Sequence, residues 1–142
     1  MLTQIDHVGI AVADLDEEVE RYRRALGLEP TYRERMQDQG VEEVLFAVGE
    51  SYVQLLGALG SDTPVGRFLD KRGPGVHHLG YRVANVAEAL GRLRAEGVAL
   101  IDETPREGSR GTTTAFIHPR SMGGVLVELV QEPSPTTAGL RV

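Results

Sequence analysis

The chain of 142 residues contains no cysteine. Disulfides, thiolate zinc sites and cysteine nucleophiles are thereby excluded, and the absence fits a reducing, cytoplasmic setting. No stretch approaches the roughly 18 apolar residues of a membrane span. Met1 to Asp6 carries neither a basic region nor an apolar run, so no signal peptide is expected. Basic residues are in the minority, 15 against 21 acids for a net charge of −6. That balance argues against general nucleic-acid binding. A polyphosphate ligand would need a local basic patch, for which Arg33, Arg35, Arg67, Lys71, Arg72, Arg106 and Arg110 are available.

What is present is a repeat. Ile5-Asp6-His7-Val8-Gly9-Ile10-Ala11-Val12 alternates as a strand does, with Ile5, His7, Gly9 and Ala11 on one face and Val8, Ile10 and Val12 on the other. Asp14 then offers an N-cap, with Glu17 three residues on. Leu15, Val19, Tyr22 and Leu26 follow at helical spacing, and Gly27 ends the helix. Residues 29–37 read as an edge strand, and 43–48 with 52–56 as a hairpin through Gly49-Glu50-Ser51. A short helix is expected over 65–72. Gly73-Pro74-Gly75 closes this half.

The pattern then restarts. Val76-His77-His78-Leu79-Gly80-Tyr81-Arg82-Val83 is a strand, Asn85 an N-cap with Glu88 three residues on, and Gly97 a stop. Val98 to Ile101 is extended, and 107–111 is a turn. Strands are expected over 112–117 and 125–130, and residues 132–142 form a frayed tail. His7 corresponds to His78 (78 − 7 = 71) and Gln54 to Glu128 (128 − 54 = 74). The expected fold is α+β: two paired βαβββ modules, 1–72 and 73–131, in one curved, mostly antiparallel sheet around a metal cleft.

If the halves pack symmetrically, His7, Gln54, His78 and Glu128 converge. Two imidazoles, a carboxylate and an amide oxygen suit a divalent transition metal and leave it a residual positive charge for a substrate oxyanion. Taken singly, each is more often a hydrogen-bonded structural residue or a solvent-facing polar one. In an apolar strand, however, an unpartnered Gln54 or Glu128 is costly. Neighbouring strand residues point to opposite faces, so only one of His77 and His78 shares the site. The repeat selects His78, and His118, which has no counterpart, is read as structural. One of Glu42 and Glu43 faces inward by the same alternation, although a solvated strand entry is the reading that sequence alone favours.

A wider resemblance rests on Ile5 to Ala11, Gln39-Gly40-Val41-Glu42-Glu43, Tyr52-Val53-Gln54-Leu55-Leu56 and Gly75-Val76-His77-His78-Leu79. It continues through Pro105-Arg106, Gly108-Ser109, Phe116-Ile117-His118-Pro119 and Gly124 to Val130. Over about residues 2–131 the chain resembles the methylmalonyl-CoA epimerase family of the vicinal oxygen chelate superfamily. It departs from that pattern at Leu56-Gly57-Ala58 and at Arg120. The resemblance implies metal ligation by His7, Gln54, His78 and Glu128, with Glu43 and Glu128 as the acid/base pair. It also implies a divalent ion (cobalt, with zinc, manganese or nickel as alternatives), a homodimer, and methylmalonyl-CoA as substrate. The rivals are a lactoylglutathione lyase-type isomerase and a drug-sequestering binding protein of the same fold. The first typically has Glu where this chain has Gln54, and the second often lacks the ligand set.

Overall fold

The computed structural model describes residues 1–134. It begins β1 (Leu2–Val12), α1 (Leu15–Leu26), β2 (Pro30–Met36), β3 (Val41–Val48), β4 (Ser51–Ala58) and α2 (Pro64–Arg72). It then repeats the order as β5 (Gly75–Val83), α3 (Val86–Ala95), β6 (Arg106–Glu107), β7 (Thr113–Ile117) and β8 (Val127–Gln131). The expected α+β fold with a duplicated βαβββ order is present. Two compact units emerge. One is His7–His78, and the other joins Met1–Asp6 to the chain from Leu79 onward.

In the unit His7–His78 the strands run in the order β2-β3-β4-β1. β2 and β4 are antiparallel to β3, while β1 and β4 are parallel, with Gly9 beside Gln54. The helix forms where the sequence places its caps. The Asp14 carboxylate accepts from the Glu17 backbone N–H at 3.1 Å. Gly27 takes the left-handed conformation (φ 67°) and donates to the Arg23 carbonyl. α1 lays Leu15, Val19 and Tyr22 on Ile10, Val12, Val44, Phe46, Val53 and Leu55. Tyr22 and Phe46 stack at 5.5 Å between ring centres. Because side chains alternate along a strand, the other face carries His7, Gly9 and Ala11 from β1, Glu43 and Leu45 from β3, and Gln54 and Leu56 from β4. α2, capped by the Thr63 hydroxyl, packs Val65, Phe68 and Leu69 against Ala11, Met36, Val41 and Leu56. The face assigned to β1 by alternation is thus observed, except that Ile5, expected inward, is exposed.

In the other unit the order is β5-β8-β7-β6. β5 and β8 are parallel, with Gly80 beside Glu128, and β7 is antiparallel to β8 and β6. Asn85 caps α3 by accepting from the Glu88 N–H at 2.9 Å. α3 covers Tyr81, Val83, Ala115, Ile117, Val127 and Leu129, so Gly80 and Glu128 lie on the opposite face. The extended stretch expected over 98–101 contributes one bridge, Leu100 to Ile117. The turn at 107–111 contains a short 3-10 turn in which Arg110 sits at φ 58°. A buried carboxylate that sequence reading passed over holds this region together. Asp6, 1 % exposed, accepts from Arg82 Nε (3.0 Å) and Nη2 (2.7 Å) and lies 3.6 Å from Arg110. Glu132 pairs with both arginines. Residues 135–142, most of the expected tail, lie outside the described residues.

Candidate functional site

The face of the His7–His78 unit turned away from α1 carries His7, Glu43, Gln54 and His78, all buried, with the half-buried Glu34 of β2 opposite Glu43 and accepting from the Tyr32 hydroxyl at 2.6 Å. His7 and His78 meet Nε2 to Nε2 at 2.9 Å, their rings nearly perpendicular. Gly9 makes room for this. A Cβ there would stand 2.3 Å from Cε1 of His78 and 2.6 Å from its Nδ1. The glycine two residues after His7 is therefore a steric requirement of the second histidine, a role sequence reading did not assign.

Gln54 connects two kinds of chemistry. Its Nε2 donates to Glu43 Oε2 at 2.7 Å. Its Oε1 is buried without a hydrogen-bond partner. An amide acceptor left unsatisfied in an apolar interior costs about 1–3 kcal/mol, so such an atom calls for an explanation.

Glu43 is 1 % exposed, which overturns the solvated-entry reading favoured by sequence alone. Glu42 takes the outer face. It accepts from Arg33 Nε at 2.9 Å, while Arg33 Nη2 reaches Asp16 at 2.8 Å. These two carboxylates hold the Arg33 guanidinium above its ordinary pKa.

Alternation assigns His77 to the face opposite His7, and its ring sits edge-on to Phe68 of α2 at 5.0 Å. It is not confined to the far face, however. Its Nδ1 turns back to Nδ1 of His78 at 2.9 Å. His118, read from sequence as structural, accepts from the Arg120 N–H at 3.1 Å at the start of the short 3-10 turn that follows it. Of the candidate phosphate-binding cations, five are already engaged. Arg33, Arg106 and Arg110 pair with carboxylates, Arg67 donates to the Asp62 carbonyl, and Arg72 lies over the Phe68 ring.

Glu128 belongs to the other unit, on β8. There it stands beside Gly80, two residues after His78, just as Gln54 stands beside Gly9, two residues after His7. The two parallel pairings have the same register, so the correspondence read from sequence spacing is a structural one.

A cation suits these residues. Two imidazole nitrogens at 2.9 Å repel unless a proton or a cation lies between their lone pairs. A shared ion would be held by these two nitrogens, Nε2 of His7 and Nε2 of His78. The bare oxygen of Gln54 is a neutral donor of the kind such an ion accepts. His7 and His78 thus offer two nitrogen donors to an ion.

Comparison with known proteins gives this arrangement a context. The family model described as Glyoxalase/Bleomycin resistance protein/Dioxygenase superfamily matches residues 6–116. The crystal structure of methylmalonyl-CoA epimerase from Mycobacterium tuberculosis is 44 % identical, with a TM-score of 0.91 over 97 % of this chain and 93 % of that one. A methylmalonyl-CoA epimerase in complex with methylmalonyl-CoA and NH4+ is 41 % identical, with a TM-score of 0.91 over 94 % of this chain and 97 % of the other. An ethylmalonyl-CoA/methylmalonyl-CoA epimerase of Cereibacter sphaeroides is 34 % identical over 92 % of this chain and 99 % of its own. The chain belongs to the glyoxalase/bleomycin resistance protein/dioxygenase superfamily.

Proposed function

We propose that the chain is a metal-dependent methylmalonyl-CoA epimerase that inverts the α-carbon of the acyl group. The observation that carries this reading is the contact between Gln54 and Glu43: a buried carboxylate held by an amide whose other end is a bare oxygen. Similarity to epimerases along nearly the whole chain supports the same conclusion. In this reading His7, Gln54, His78 and Glu128 hold the ion. A divalent cation there would take up charge as the α-proton leaves and so make the carbon acid accessible to a carboxylate.

Inversion needs proton removal on one face of the carbon and proton return on the other, hence two acid/base groups. Glu43 is one: its Oε2 is fixed by Gln54, and its surroundings keep bulk water from competing for the proton. Glu128 is the second, and serves also as a ligand. The modules 1–72 and 73–131 then form the halves of one vicinal oxygen chelate domain, with 132–142 as a tail outside it. Cobalt as the ion, a homodimer and a cytoplasmic location complete the proposal. They rest on the epimerase resemblance and on the cysteine-free composition. Among the described residues no helix is long and apolar enough to cross a membrane.

A lactoylglutathione lyase-type isomerase fits less well, because a carboxylate at position 54 would face Glu43 with no N–H to give it. A drug-sequestering protein has no use for a buried carboxylate held by an amide. The test is exchange of the α-proton of methylmalonyl-CoA with solvent deuterium, read by mass spectrometry. Metal-loaded protein is expected to catalyse it and chelated protein to lose it. Absence of exchange with metal-loaded protein would sink the reading.

A further inference from the structure

His78 has two ring nitrogens, and each has a histidine against it. Nε2 faces Nε2 of His7 at 2.9 Å. Nδ1 faces Nδ1 of His77, also at 2.9 Å. A neutral imidazole carries one proton, so the partner at one nitrogen decides what the other can do. If His77 accepts at Nδ1, the His78 proton sits on Nδ1 and the lone pair of Nε2 points toward His7. If His77 donates instead, the proton of His78 moves to Nε2, where it blocks a cation.

We propose that His77 is a positioning residue that fixes His78 in the Nδ1–H tautomer, keeping its Nε2 open to the metal. This rests on the reading of His78 as a ligand. His77 is itself held. Its ring lies edge-on to Phe68 of α2, at 5.0 Å and 72°. Phe68 packs on the cluster of Ala11, Met36, Val41, Leu56 and Val65. Arg72, one turn further on, lies over the outer part of the same ring, 5.7 Å from its centre. α2 therefore braces a hydrogen bond to the ligand without contributing a ligand, a function that gives the adjacent pair His77-His78 a purpose for both members. Bonds of this type orient metal-bound histidines and raise their basicity, and their loss typically costs about 10–100-fold in metal affinity.

Two substitutions separate the hydrogen bond from the bulk. His77→Leu fills similar space without an acceptor. His77→Asn places an amide oxygen as many bonds from Cα as the native Nδ1. Cobalt(II) affinity, measured by competition with a chromophoric chelator, is expected to fall about 10–100-fold in His77→Leu and to stay near wild type in His77→Asn. Nitrogen-15 NMR of histidine-labelled, metal-free protein gives a second readout. Wild-type His78 is expected to carry its proton on Nδ1, and His77→Leu to show a mixture of tautomers. Unchanged cobalt affinity in folded His77→Leu, or a wild-type His78 protonated at Nε2, overturns the proposal. If wild-type protein binds no cobalt, the metal-site reading fails instead, and the tautomer measurement still decides the role of His77.

Discussion

Gly9 and Gln54 show how much a single position decides here. Gly9 is occupied, in effect, by the ring of His78, since a Cβ would come within 2.3 Å of it. Gly9→Ala is expected to displace that ring and lower cobalt affinity at least about tenfold, as loss of a support to a ligand does. Circular dichroism would show the fold retained, and chelator competition would show the loss. Gln54→Glu keeps an oxygen donor but deletes the N–H given to Glu43. The variant is expected to bind cobalt at least as well as wild type while kcat for epimerisation falls 100-fold or more, within the usual range for a displaced acid or base of about 10²–10⁴. Retained kcat would show that Glu43 does not depend on Gln54. At this scale the sequence was partly legible. His7, Gln54 and His78 were identified from their recurrence in the second half. Glu43 was open to a solvent-facing reading because alternation says only that one of Glu42 and Glu43 turns inward. The choice is made by Arg33, which β2 brings alongside β3 to take Glu42. Gly9 and His77 act across strands, through contacts that local spacing does not encode.

The elements themselves were largely readable, because their ends carry their own chemistry. Asp14 with Glu17 and Asn85 with Glu88 start helices where expected, and Gly27 stops one. Less was visible between 98 and 111, where the backbone is held by isolated contacts. The Asp102 side chain accepts from the Phe116 N–H at 2.8 Å, and Leu100 bridges to Ile117. Nor did the pattern reveal why β1 carries an acid directly before its histidine. Asp6 ties the start of β1 to Arg82 at the end of β5 and to Arg110 in the 3-10 turn before β7. Removing one member of a buried ion pair costs about 3–5 kcal/mol. Asp6→Ala is expected at the low end, about 3 kcal/mol, because Glu132 continues to pair with both arginines. Urea denaturation would measure it. A loss below about 0.5 kcal/mol, the range of surface substitutions, would mean that Asp6 holds nothing together.

At the scale of the whole molecule, duplication gives the same local arrangement twice. Each half contributes a strand with His-x-Gly, paired in parallel with a later strand whose polar residue, Gln54 or Glu128, stands beside that glycine. The halves are not chemically equal. The first supplies an amide, which leaves Glu43 hydrogen-bonded within a buried face, and the second supplies a carboxylate. An inversion needs one group to take a proton from one face of the carbon and another to return one on the opposite face. The two-base mechanism is decided by α-proton exchange followed separately for each epimer of methylmalonyl-CoA, in deuterated buffer, with metal-loaded wild-type and Glu43→Gln protein. Wild type is expected to label and interconvert both epimers. Glu43→Gln, still metal-loaded, should label one epimer with its configuration retained and interconvert neither. Interconversion by Glu43→Gln at the wild-type rate would contradict that mechanism.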